Sequence, residues 1–137
     1  MPAFDVVVLT DSRYIDPPHP GQYVQNILLE DELVSEALTR KGLKVTRKAW
    51  TDDAFDWANT KAVLFRTTWD YTDHIQEFRK WLSEISPKTR LINTRQIIEW
   101  NLNKRYLLDL QKKNVRVVPT SFIDMGSENK LIYGSRI

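Results

Sequence analysis

The 137-residue chain contains no cysteine. Disulfides, thiolate metal sites, cysteine nucleophiles and iron–sulfur clusters are thereby excluded from it. Glycine is scarce as well. The four glycines stand at 21, 42, 126 and 134, so the clustered glycines of a phosphate cradle or a dinucleotide turn are missing. His19 and His74 are too far apart for a metal-ligand spacing. There is no Gly-x-Ser-x-Gly elbow and no Walker lysine loop. No apolar run approaches the roughly 20 residues that cross a bilayer, and no basic segment with an apolar h-region opens the chain. A cytoplasmic setting without membrane contact is the expectation.

What is present belongs to a globular protein: 42% hydrophobic, 28% charged and 11% aromatic residues, enough for one packed core. Residues 4–9 (Phe-Asp-Val-Val-Val-Leu) form a short, β-branched run, as expected for a strand buried on both faces. Residues 10–21 hold Pro17, Pro18 and Pro20 and cannot be helical. Then Val24, Ile27, Leu28, Val34, Ala37 and Leu38 mark one face of a helix. Glu30, Asp31, Glu32 and Glu36 are read as covering much of its other side, and Gly42 stops it. Further strands are expected at 44–49, 62–65 and 90–93. A helix is expected over 73–85, capped by Thr72 or Asp73 and ended by Ser86-Pro87. Helices capped by Thr94 and by Asn101 or Asn103 follow, and a fifth strand over 115–123 is confined to an edge by Pro119. Strands alternating with helices predict an α/β fold: a Rossmann-like parallel sheet of four to five strands with helices on both faces.

Charge is unevenly spread, with net −4 over residues 1–60 and net +6 over 61–137. Most of the excess lies in 88–116, where eight basic residues face Glu99 and Asp109. That segment reads either as a solvated pair of basic helices or as a surface for phosphates.

Open α/β sheets bind ligands beyond the carboxyl ends of their strands. Polar residues fall there in three places: Asp11 with Ser12, Arg13 and Tyr14; Arg66 with Trp69, Asp70 and Tyr71; and Asn93. Arginine clamps a carboxylate through two parallel hydrogen bonds, and aspartate receives an ammonium. Arg66 and Asp70 together would suit a zwitterion such as an amino acid. The structural alternative is that they pair with each other while Trp69 packs on the sheet. Lys104, near a helix start, opposes the dipole, which fits an anionic ligand or a solvated side chain.

Three runs then acquire a common meaning: Phe65-Arg66-Thr67-Thr68-Trp69-Asp70-Tyr71, Leu91-Ile92-Asn93, and Trp100-Asn101-Leu102-Asn103-Lys104-Arg105-Tyr106-Leu107. With Leu33 to Leu38, Gly42 to Val45, Trp50 to Asp53 and Val117 to Thr120, they resemble the opening of ATP-grasp ligases of the glutathione-synthetase-like and RimK-like groups. The resemblance implies a pre-ATP-grasp α/β domain over 1–93, the start of the nucleotide-binding region over 94–123, and an incomplete tail over 124–137. Such ligases use ATP and Mg2+ to activate a carboxylate as an acyl phosphate, which an amine then captures. Lys104 matches a lysine that the family directs at ATP phosphate. Asp11, Arg66, Asp70, Tyr71 and Asn93 would face a small carboxylate or amino-acid substrate. The second ATP lysine, the glycine-rich flap and the magnesium ligands of the family have no counterpart here, so the chain is not expected to catalyse alone or to bind nucleotide tightly. Self-association through the edge at 115–123 is the expected protein contact. The competing reading is a stand-alone binding or regulatory module whose 88–116 surface meets nucleic acid or protein. RNA-stacking and helix-turn-helix signatures are missing, which disfavours nucleic acid.

Overall fold

The computed structural model describes residues 1–123, in two compact units, the first spanning residues 1–98 and the second beginning at Glu99. The first unit is built on four parallel strands: β1 (Phe4–Thr10), β2 (Val45–Ala49), β3 (Thr60–Thr67) and β4 (Arg90–Ile92). Their order is β2-β1-β3-β4, and helices α1 (Gln22–Arg40) and α2 (Ile75–Ile85) flank the sheet. The α/β expectation therefore holds. Val7, Val8, Leu9 and Val63 are fully buried, as central strands covered on both faces require.

Alternation along the strands separates two layers. Leu9 aligns with Phe65, and Phe65 packs against Phe78 and Trp81 of α2 at 6.4 and 6.0 Å between ring centroids. Trp50 and Trp57 meet the same Trp81 ring at 6.0 and 5.2 Å. Phe78, Leu82 and Ile85 are buried at helical spacing along α2, each contributing about 1.5–3 kcal/mol of hydrophobic free energy. The other layer carries Thr10, Thr67 and Arg47 toward α1.

Helix α1 ends as its sequence requires. Gly42 adopts φ 82° and donates its N–H to the Thr39 carbonyl at 2.8 Å, a left-handed stop that glycine makes without a Cβ clash. Elsewhere the structure corrects the expected boundaries. Strand β3 extends two residues beyond the apolar run at each end, because polar Thr60 and Thr67 are themselves buried and hydrogen-bonded. Helix α2 starts at Ile75 behind a 3-10 turn (Asp70–Thr72), with His74 in the capping position. Thr72 does not cap it, since its hydroxyl donates to the Trp69 carbonyl at 3.3 Å.

The elements α3 (Arg95–Asn101) and α4 (Tyr106–Lys112) follow. Asn103 caps through its side chain, but onto the N–H of Arg105 ahead of α4. Asn114, at φ 58°, turns the chain after α4. The expected fifth strand is not formed: residues 115–123 have no regular secondary structure. Pro119 offers no N–H to a ladder. Val118 is 76% exposed and Val115 and Ile123 are also exposed, so no strand among the described residues covers them. Residues 124–137, expected as an incomplete tail, lie outside the described residues.

Candidate functional site

The strand order reverses direction at β1. The chain steps from β1 outward to β2, then crosses back to place β3 on the opposite side of β1. A reversal of this kind leaves a crevice beyond the carboxyl ends of β1 and β3, where open α/β sheets take their ligands. Asp11 directly follows β1, and Arg66 to Asp70 close β3.

Asp11 is fully buried and committed to its own turn. One oxygen accepts from the Arg13 backbone at 2.9 Å, and the two oxygens take the Arg13 guanidinium at 3.2 and 2.7 Å. That hydrogen-bonded pairing drives the Arg13 pKa upward and keeps its charge fixed at the mouth of the crevice.

Arg66 owes its direction to an irregularity in β3. Leu9 pairs with Phe65, whereas Thr10 pairs with Thr67, so Arg66 is an extra residue opposite a single step of β1. A bulge of this kind lets two successive side chains serve one face. Arg66 and Thr67 accordingly both reach the α1 layer: Arg66 Nε lies 3.6 Å from Asp31 Oδ1, and Thr67 Oγ1 donates to Asp31 Oδ2 at 3.1 Å.

Asp31 organises this layer. It is completely buried, although its neighbours Glu30, Glu32 and Glu36 are surface residues, which corrects its expected place on the solvated side of α1. Arg47 of β2 donates to Asp31 Oδ2 through Nε at 2.9 Å, to Thr10 Oγ1 at 3.3 Å and to the Tyr14 carbonyl. The Thr10 and Thr67 hydroxyls are 2.5 Å apart. Because Thr67 gives its proton to Asp31, Thr10 donates to Thr67, and a ring of donors runs Arg47, Thr10, Thr67, Asp31. It ties the ends of three parallel strands to α1.

Asp70 faces the other layer. Its Oδ1 accepts the Trp50 indole N–H at 2.7 Å. With Ser12, Trp50, Thr51, His74, Glu77 and Trp81 it lines a cavity of about 400 Å³ at the carboxyl ends of β1 to β3. Arg66 and Asp70 therefore do not pair with each other; each has its own partners on its own side of the sheet. Trp69 is half-exposed and packs edge-on against Tyr14 at 5.9 Å rather than lying on the sheet. Tyr71 is half-buried, its ring 5.2 Å from that of Phe78, and Asn93 lies exposed just beyond β4. Lys104 belongs to the second unit. It precedes α4 by two residues, with Nζ 5.6 Å from the Tyr106 ring centroid. Among the described residues no group of His, Asp or Glu converges as a metal site.

The structure adds residues that spacing did not single out: Thr10, Asp31, Arg47, Trp50 and Thr67. Asp31 carried a signal, because it continues the buried helical stripe one turn beyond Ile27.

The span bearing this crevice coincides with a recognised domain. Residues 6–93 match the family described as D-cycloserine synthetase DcsG, N-terminal domain. The chain belongs to that family. The match runs from the middle of β1 to the residue after β4, so it takes in the reversal point, Asp31, Arg66 and Asp70 together. The cycloserine biosynthesis protein DcsG of Streptomyces lavendulae is 36% identical over 93 residues, covering 68% of this chain and 31% of that protein. The crystal structure of D-cycloserine synthetase DcsG superposes with a TM-score of 0.69 at 32% identity, over 89% of this chain and 38% of that one. The chain thus spans about a third of the length of these relatives. Residues 6–93 correspond to the N-terminal domain of that family.

Proposed function

We propose that the chain forms the substrate-side part of an ATP-dependent carboxylate–amine ligase of the ATP-grasp type, the resemblance that its sequence carries. One observation bears most of the weight. The family match covers the strand-order reversal, where an arginine and an aspartate stand at the end of β3. In this reading Arg66, Asp70, Tyr71, Asn93 and Asp11 shape the site for a small carboxylate or amino acid. On the α1 side Arg66 answers a carboxylate, and on the other side Asp70 lines the cavity with Trp50. Lys104 contributes one contact to ATP phosphate, and Mg2+, when bound to the complete enzyme, would supply charge neutralisation there. The described residues offer no convergent set of ligands for that ion. Family relatives named for D-cycloserine synthesis favour a small amino-acid-like substrate.

Amide NMR of the 137-residue chain tests this reading. Small D- and L-amino acids are expected to give saturable shifts at residues 11–13 and 66–71, and Mg-ATP a shift at Lys104. Absence of both, with RNA binding through 88–116 that weakens steeply with salt, would overturn it in favour of a nucleic-acid module.

A further inference from the structure

Three arginines stand at the carboxyl end of the sheet, and they are not equivalent. Arg13 is chelated by Asp11. Arg47 spends its guanidinium on Asp31, Thr10 and the Tyr14 carbonyl. Arg66 makes no hydrogen bond through its guanidinium among the described residues. Its contacts are two long ion pairs, Nε to Asp31 Oδ1 at 3.6 Å and an Nη to Glu30 Oε2 at 3.5 Å, both beyond ordinary hydrogen-bond length.

The same place holds an unsatisfied acceptor. Asp31 is fully buried, and its Oδ1 accepts no hydrogen bond among the described residues, although Oδ2 is fully engaged. A buried carboxylate oxygen without a donor calls for an explanation. The donor nearest to hand is Arg66 Nε, less than an ångström too far away. A guanidinium bonded at Nε to a buried carboxylate turns its two terminal nitrogens outward as a fork, and that fork matches a carboxylate or phosphate edge in two parallel hydrogen bonds.

We infer that Arg66 is an oxyanion receptor backed by Asp31 and restrained by Glu30. The inference rests on the reading of this sheet edge as a ligand site and adds the chemistry that it recognises. In the resting geometry the exposed Glu30 carboxylate holds one arm of the fork loosely. An arriving oxyanion replaces Glu30, the guanidinium settles onto Asp31 Oδ1, and the buried acceptor is satisfied as the ligand binds. Asp31 acts as a positioning residue: it touches Arg66, not the ligand. Glu30 is a competitor whose charge lowers affinity. A lysine at 66 would keep the charge but lose the fork, which separates geometric recognition from a general electrostatic pull.

The test titrates the 137-residue chain with propionate and, separately, with inorganic phosphate, following the Arg66 Nε–Hε resonance. Neither probe requires ATP turnover, so the result stands apart from the success or failure of the ligase reading. Saturable binding is expected, with the Hε resonance moving downfield as Nε bonds to Asp31. Preference for propionate assigns the receptor to a substrate carboxylate, and preference for phosphate assigns it to a phosphoryl group. Glu30→Gln should tighten binding about threefold by removing the competing charge. Arg66→Lys should weaken it at least tenfold, and Asp31→Asn should weaken it and suppress the Hε shift. Glu30 and Arg66 are accessible positions, so these two variants decide the matter even if Asp31→Asn impairs folding. Unsaturable titrations with both probes, equal binding by Arg66→Lys, or no gain in Glu30→Gln would each overturn the inference.

Discussion

Arg47 of β2 and Asp31 of α1 form an ion pair at 2.8 Å whose carboxylate is 1% exposed. Removing one partner of such a pair strands the other charge in the protein, at a cost of about 3–5 kcal/mol. Arg47→Met is therefore expected to lower stability by about 3 kcal/mol. Adding Asp31→Leu should restore part of that loss, because neither charge of this pair is then left buried without its partner. Urea unfolding at pH 7 of the two variants checks this; a double variant less stable than Arg47→Met would refute the ordering.

The bond between Trp50 and Asp70 has a spectroscopic signature. An indole N–H held by a carboxylate at 2.7 Å resonates downfield of a solvated one. Of the five tryptophans, Trp50 should supply the most downfield indole signal. Asp70→Asn keeps the shape but exchanges a charged acceptor for a neutral one. It should move that signal upfield, leave the rest nearly in place, and cost about 1 kcal/mol.

Leucines on the two helices should respond very unequally to truncation. Leu82 of α2 is completely buried, whereas Leu33 of α1 is half-exposed. Leu82→Ala is expected to cost about 3 kcal/mol through lost burial and a residual cavity, and Leu33→Ala within about 0.5 kcal/mol. Thermal melts of both variants give the comparison directly.

Tyr14 ties the crevice to alkaline stability. Burial first, and the nearby Asp11 charge in smaller part, push its phenol above the ordinary value of 10.0, against an opposing pull from Arg13. The folded protein thus retains the phenolic proton at a pH where the unfolded chain releases it. Stability from this group is complete below the unfolded value of 10.0 and is lost as pH rises above it through the raised folded value. Tyr14→Phe should flatten the decline above pH 10 in denaturant titrations, with little change in slope near neutrality.

Strand and helix identities were legible because they follow from local pattern. Apolar β-branched runs gave β1, β3 and β4, and helical spacing gave α1 and α2. The ends of elements were less so. Thr60 and Thr67 are polar yet buried, which no hydropathy pattern announces. Residues 115–123 have strand-like composition, but a strand also needs a neighbour to pair with. The crevice residues Asp11, Arg66 and Asp70 could be placed from their positions after strands. Asp11 pairs with the adjacent Arg13, but the partners of Arg66 and Asp70 could not be placed, because Asp31 and Trp50 come from distant segments, and only the packed fold shows that Arg66 turns to one layer and Asp70 to the other.

The additional residue in β3 has a consequence for how this sheet edge can change. In a regularly alternating strand, function on one layer is edited by exchanging side chains at every second position. Here the spacing itself is a variable. Shortening β3 by one residue at the Arg66 step would restore alternation, leave Phe65 and Thr67 opposite Leu9 and Thr10, and remove the arginine from the α1 layer in a single event. Length as well as identity is thus under constraint between Phe65 and Asp70, and a homologue differing by one residue there would present a rearranged edge on an otherwise unaltered scaffold.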